Sequence, residues 1–155
     1  MTDDRKNKHP ISLPCPAETL MPHRPPMLFI DSLISRIGDK ATALATVPEN
    51  SICIDPERGI LPEFFIEVMA QTMAAANGYD ALCENKAPRN GFLVGLDKFQ
   101  LSERTAVRAT LRIEITKTFQ FGPVKLIEGQ VFCDDRILAI GEVKVWEDLE
   151  NEDHR

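Results

Sequence analysis

Leu61-Pro62-Glu63-Phe64-Phe65-Ile66-Glu67-Val68-Met69-Ala70-Gln71-Thr72-Met73-Ala74-Ala75-Ala76 is the segment that sets the architecture of this chain. Pro62 suits the first turn of a helix, where its missing N–H would have no partner anyway, and Glu63 then faces the positive end of the helix dipole. Nearly every later side chain is apolar, so the helix is expected to run through the middle of its domain. Glu67 and Gln71 are the exceptions. One turn apart, they share a face that continues through Ala74 or Ala75 to Gly78, with side chains small enough for close approach of a sheet, a partner or a ligand. A carboxylate on an otherwise buried helix is costly unless it is paired, protonated or used. Two roles are open to Glu67 on this ground: a structural hydrogen bond to Gln71 or a nearby loop, or catalysis and ligand positioning. The helix is expected to fray between Gly78 and Lys86, ahead of Pro88.

Just upstream, Glu49 to Gly59 forms a loop in which the apolar trio Ile52-Cys53-Ile54 precedes a sharp turn at Asp55-Pro56-Glu57-Arg58-Gly59. Such a loop is placed to cover a pocket at the helix N-terminus, where amides await an oxygen. Further back, Met27 to Ile34 and Lys40 to Pro48 read as an antiparallel hairpin about Gly38-Asp39. Leu20 to Pro26 reads as a rigid extended or turn segment, because each proline restricts the residue before it. Beyond the helix the pattern is all strand. Phe92-Leu93-Val94-Gly95-Leu96 is a buried run whose glycine marks a bulge or a close backbone contact. Thr105 to Phe119 alternates apolar and polar, and Val124 to Cys133 pairs with Arg136 to Trp146 about Asp134-Asp135. Two strands, one long helix and four strands define an α+β class, an antiparallel sheet wrapped around one long central helix. The domain is expected to span 17–147, with 1–16 a flexible N-terminal arm and 148–155 an acidic, solvated tail that begins in character at Glu147.

A chain of 155 residues is one domain. Eighteen basic residues against 24 acidic ones, without a basic run in the folded part, argue against a nucleic-acid partner. Met1 to Pro10 is polar and lacks the apolar core of a signal peptide, and no run approaches membrane-spanning length; a cytoplasmic location without membrane insertion is expected. Cys15, Cys53, Cys83 and Cys133 lie too far apart for a zinc knuckle or a redox pair, and His9, His23 and His154 complete no metal set, so neither metal nor cofactor is expected.

The motifs Pro22-His23-Arg24-Pro25-Pro26-Met27-Leu28-Phe29-Ile30-Asp31, Leu61-Pro62, Glu67-Val68-Met69-Ala70-Gln71 and Gly91-Phe92-Leu93-Val94-Gly95-Leu96-Asp97-Lys98, in this order, resemble the hotdog-fold 3-hydroxyacyl-(acyl carrier protein) dehydratases, closest to the aryl-polyene-type branch. The resemblance covers about residues 20 to 147. It implies a curved sheet around a central helix, a homodimer or higher even oligomer with continuous sheets, and a tunnel at the subunit interface. It also implies an acyl chain borne on an acyl-carrier protein or coenzyme A, in fatty acid or polyene-type biosynthesis. Glu67 matches the family's helix carboxylate and Gln71 its glutamine; His23 and Arg24 match a pair ahead of the first strand whose role there looks structural. One departure is plain. The family has a histidine in the loop before the helix, which works with the carboxylate of the other subunit. This loop, Ser51 to Pro62, has none. Cys53 or a neighbour falls near the vacant place, and the spacing from Pro62 to Glu67 is one residue short of the usual pattern.

Dehydration of a 3-hydroxyacyl thioester needs removal of an α proton, protonation of the departing hydroxyl and stabilisation of charge on the thioester oxygen. Glu67 is the expected acid or base. Cys53, Asp55 and His23 are the candidates for the missing role, with Cys53 requiring a lowered thiol pKa to replace an imidazole. Asp55, Gly59, Ile60, Leu61, Gln71, Phe92, Leu93 and Gly95 are the expected substrate-binding residues, the backbone amides from Gly59 to Leu61 receiving the oxygen. Arg24 is expected to meet Asp31 or the phosphate of a pantetheine arm. The alternatives are an acyl-binding hotdog protein without chemistry, or a thioester hydrolase in which Glu67 or Asp55 activates water. The apolar strand from Asn90 to Asp97 needs a partner along its edge and is the expected dimer contact.

Overall fold

The computed structural model describes residues 11–148. The first part of the expected arm and nearly all of the acidic tail lie outside the described residues. The helix α1 spans Pro62–Cys83, with Pro62 in its first turn and Glu63 the acid beside the dipole. It presents no dry stripe and wet stripe; Phe64, Phe65, Val68, Met69, Met73, Ala75 and Ala76 are all buried, as are Gln71 and Thr72. Each large apolar side chain removed from water in this way contributes about 1.5–3 kcal/mol.

The sheet takes up those faces. Its strands are β1 (Cys15–Pro16), β2 (Ser32–Ile37), β3 (Lys40–Thr46), β6 (Gly91–Leu101), β7 (Thr110–Phe121), β8 (Val124–Cys133) and β9 (Arg136–Glu147). They lie in the order β1-β2-β3-β7-β8-β9-β6, every pair antiparallel. Two short strands, β4 (Ile54–Asp55) and β5 (Gly59–Ile60), pair apart from it just ahead of the helix. Strands β2, β3, β6, β7, β8 and β9 all touch α1, so the sheet curves around the helix as the apolar pattern requires. One close approach is at the middle of β8. A Cβ on Gly129 would stand 2.6 Å from Met69 Sδ, so glycine is what lets the helix settle on the sheet there.

Several boundaries differ from the sequence reading, each for a tertiary reason. The first long strand begins at Ser32 rather than Met27. Met27 lies in a bend and 28–30 belong to no strand, because polar groups here turn to the helix: the Met27 carbonyl and the Phe29 amide bond the Gln71 side chain, and sheet pairing starts with Asp31 N–H to the Leu44 carbonyl at 2.7 Å. The strand expected from Thr105 begins at Thr110. Val107 is exposed, and the chain turns through Arg108 at φ 67°, whose amide bonds the Val47 carbonyl. At the N-terminus, Cys15 and Pro16 pair with Leu33 and Ser32, so the sheet takes in the last residues of the expected arm. Glu147, expected to begin the solvated tail, ends β9 instead at 5 % exposure. Its carboxylate is held by Lys125 Nζ at 2.8 Å, Arg89 Nη1 at 3.6 Å and Asn77 Nδ2 at 3.2 Å.

The run from Phe92 to Leu96 does contain a bulge, between Leu93 and Gly95, but it is not buried in the single chain. β6 is an edge strand, with Phe92 58 % and Val94 53 % exposed. The hairpins at Gly38-Asp39 and Asp134-Asp135 form as expected, with Gly38 and Asp134 in the left-handed conformation that such tight turns require.

Candidate active site

Gln71 organises the site. It is 1 % exposed, and all of its bonding groups are engaged. Its Oε1 accepts from the Phe29 amide at 2.9 Å; its Nε2 donates to the Met27 carbonyl at 2.7 Å and to Glu67 Oε1 at 3.0 Å. Since Nε2 is the donor in both of the latter, the amide cannot flip without losing all three bonds. One side chain thus fixes the Met27–Phe29 segment on the helix and sets the direction of the Glu67 carboxylate one turn earlier. Phe29 adds an edge-on contact with Phe64, ring centroids 5.7 Å apart.

The segment carrying His23 is held at a second point. A Cβ on Gly78 would stand 1.7 Å from the Leu20 carbonyl oxygen, so the backbone at Leu20 lies directly on the helix and only glycine admits it. Between these anchors Arg24 Nη1 donates to the Met21 carbonyl at 2.9 Å and to the His23 carbonyl at 2.7 Å. Asp31 accepts instead from Thr46 Oγ1 at 2.7 Å, so Arg24 does not meet it. His23 Nδ1 is buried without a hydrogen-bond partner.

Glu67, Gln71 and His23 line one cleft of about 320 Å³ with Phe92 and Leu93. Its other walls include Leu20, Met21, Ala70, Met73, Ala74 and Val145, together with the polar Asn77, Arg89 and Asn90. A carboxylate, a hydrogen-bond donor and an apolar trough in one concavity can hold an acyl group and move a proton beside it. A larger cavity of about 630 Å³, bordered by Lys40, Lys98, Glu114, Glu128 and Glu142, includes none of these residues. Among the described residues no cluster of histidine, cysteine and acidic side chains is placed to hold a metal ion.

The other expected residues stand elsewhere. Asp55 Oδ1 accepts the amides of Glu57 and Arg58, both at 2.8 Å, and so holds the turn between β4 and β5. Gly59 serves that turn at φ 76°, and Ile60 is buried in the core. The Leu61 amide, one of those expected to receive an oxygen, already bonds the Cys53 carbonyl at 2.8 Å. Gly95 lies against the Lys144 side chain, away from the cleft. Cys53 is buried beside the helix start. Burial pushes its thiol pKa up against a lowering Ser51 hydrogen bond, and the Glu67 and Glu63 carboxylates push the same way as burial. Cys53 is therefore a neutral thiol near pH 7, the opposite of what replacing an imidazole requires. The sequence reading missed Asn77 and Arg89. Asn77 sits three and seven residues after Ala74 and Ala70, which also line the cleft, and that spacing was the available signal; nothing local marks Arg89.

Residues 15–154 match the ApeP-like family, described as ApeP dehydratase. The 3-hydroxyacyl-[acyl-carrier-protein] dehydratase FabZ of Staphylococcus saprophyticus is 30 % identical over 125 residues, covering 74 % of this chain and 84 % of that one. FabZ of Natranaerobius thermophilus is 31 % identical over 129 residues, covering 80 % and 89 %. The dehydratase heterocomplex ApeI:P from Xenorhabdus doucetiae superposes with a TM-score of 0.79 at 20 % identity, over 89 % of this chain and 94 % of that one. The chain belongs to the hotdog-fold family of 3-hydroxyacyl-[acyl-carrier-protein] dehydratases, in its ApeP-like branch. No helix among the described residues is long and apolar enough to cross a membrane.

Proposed function

We propose that this chain dehydrates 3-hydroxyacyl thioesters carried on an acyl-carrier protein, in fatty acid or polyene-type biosynthesis in the cytoplasm. The observation that carries the reading is the Glu67 carboxylate, aimed by Gln71 into an apolar cleft that also holds His23. Glu67 removes the proton on the carbon next to the thioester carbonyl. The electron pair left behind forms the new double bond as the C3–O bond breaks, and the hydroxyl leaves as water with a proton returned by the same carboxyl. His23, on the wall of the same cleft, hydrogen-bonds the hydroxyl or the thioester oxygen, holding it during the transfer.

The active unit is a dimer joined along the edge of β6, where Phe92, Leu93, Val94 and Leu96 are exposed. A second reading concerns the partner. The loop that bears a histidine in the family has none here, with Cys53 or a neighbour near that place, and ApeI:P is a dehydratase heterocomplex. In a heteromer, Glu67 works opposite a histidine from a different hotdog subunit. In a homodimer, His23 is the only imidazole of the described chain at the cleft.

The test is turnover of 3-hydroxyacyl thioesters followed by enoyl absorbance, also run as crotonyl hydration. Glu67→Gln keeps size and hydrogen bonding but cannot move a proton, and is expected to lose roughly two to four orders of magnitude in rate. Retention of most of the activity refutes the assignment. A wild type inactive alone but active with a histidine-bearing hotdog subunit selects the heteromer.

A further inference from the structure

The cleft of about 320 Å³ and a second cavity of about 180 Å³ share two residues, Asn77 and Arg89. The cleft carries Glu67 among largely apolar walls. The second cavity is charged, with Asp80, Glu84, Lys86, Lys125 and Glu147 in its lining. Asn77 and Arg89 thus belong to the boundary between an apolar space and a polar one, and their placement sets the shape of the cleft wall on that side.

One carboxylate holds both. Glu147 is 5 % exposed and lines the second cavity, not the cleft. Its Oε1 accepts from Asn77 Nδ2 at 3.2 Å, and its Oε2 faces Arg89 Nη1 at 3.6 Å. A carboxylate this deeply buried needs a balancing charge, and Lys125 Nζ supplies it at 2.8 Å. Lys125 too stays out of the cleft lining. The backbone continues the hold: Glu147 stands opposite Gly91 in the pairing of β9 with β6, and the Asp148 amide donates to the Asn90 carbonyl at 2.8 Å. Every residue from Pro88 to Leu93 lines the cleft, so this wall is tied from behind to the end of β9.

Building on the acyl-thioester reading, we propose that Glu147 is a positioning residue for substrate binding, which fixes the wall of the cleft through Asn77 and Arg89 while Lys125 makes its buried charge tolerable. The wall holds the acyl group alike in the ground state and the transition state. Its loss is therefore a loss of uniform binding, which raises KM and leaves kcat in place. Bonds to a buried charged group correspond to about tenfold or more.

The experiment separates the hold from the stability of the ion pair. KM and kcat for a 3-hydroxyacyl thioester and the melting temperature are measured on the whole protein, at concentrations where each variant sediments as wild type does. Turnover is read in whichever form is active, alone or with a histidine-bearing hotdog subunit. Lys125→Met removes the balancing charge but leaves Glu147 with Asn77 and Arg89; it is expected to melt below wild type with KM changed by less than about twofold. Lys125→Met combined with Glu147→Leu puts apolar side chains in place of the pair and releases the wall. It is expected to regain at least half of the lost melting temperature, while KM rises about tenfold and kcat stays within about threefold of wild type. Lys125→Met combined with Glu147→Gln keeps the shape and the Asn77 bond but not the charge facing Arg89, and is expected to raise KM about threefold. Stability and KM then move apart, which a merely structural pair cannot produce. A wild-type KM in both double variants overturns the proposal, as does a KM that rises in Lys125→Met in step with its lost stability, or a loss confined to kcat. A wild type that turns over no such thioester in either form overturns the acyl-thioester reading itself, and with it this inference.

Discussion

Replacing Gln71 by methionine keeps the volume of the side chain and removes every polar group on it. The buried Phe29 amide then loses its acceptor, the Met27 carbonyl and Glu67 Oε1 lose their donor, and no other side chain is in place to substitute. An unsatisfied buried donor costs about 1–3 kcal/mol and each of the other two bonds about 1 kcal/mol, partly offset by burying a thioether, for a net loss of about 2–4 kcal/mol. In a domain of this size that lowers Tm by about 5–15 °C. The assay is thermal unfolding by circular dichroism, paired with turnover below the transition. Glu67 loses its orienting bond and His23 sits on a segment no longer pinned to the helix, so kcat is expected to fall by tenfold or more in the folded protein. A Gln71→Met protein that melts within 2 °C of wild type refutes the claim that this amide holds the segment, and normal kcat refutes its role in aiming Glu67.

Gly78→Ala raises helix propensity by about 1 kcal/mol, yet its Cβ would stand 1.7 Å from the Leu20 carbonyl; a net loss of about 1–3 kcal/mol is expected, and a higher Tm would refute the close approach. Lys125→Met leaves the buried Glu147 without its nearest cation and is expected to cost about 3 kcal/mol, whereas adding Glu147→Leu should recover at least half; denaturant unfolding of the four proteins decides it, and additive losses would count against the pair. Cys53→Ala is expected to retain activity within about threefold, and iodoacetamide at neutral pH should label exposed Cys83 but not Cys53 by mass spectrometry. Because the folded chain holds the Cys53 proton longer than the unfolded chain does, its contribution to stability is complete below the unfolded thiol pKa of about 8.5 and declines as pH rises through the higher folded value. Wild type should therefore lose more stability than Cys53→Ala above that pH, and identical pH profiles would show that the thiol is not perturbed.

The central helix, the six long strands and the α+β class were legible in the chain because local rules decide them. Apolar residues on every side of Pro62 to Cys83 demand a sheet around it, and period-two alternation with turn residues such as Gly38 and Asp134 marks the hairpins. Glu67 and Gln71 were legible as a pair because helical geometry alone puts them one turn apart. What the pair does depended on the fold. Residues 27 to 29 read as strand, since an apolar run looks the same in sequence whether its amides meet a neighbouring strand or a glutamine brought from 42 residues away. Glu147 read as tail for a similar reason: a carboxylate among carboxylates looks solvated until Lys125, Arg89 and Asn77 converge on it. Asp55 and Leu61 were attractive as site residues because their groups are free in an isolated loop, and tertiary structure engages them in the turn and with the Cys53 carbonyl. Spacing along the chain determines which groups share an element. Only packing between elements determines which of those groups meet, and in this protein that is what brings Glu67, Gln71 and His23 to one cleft.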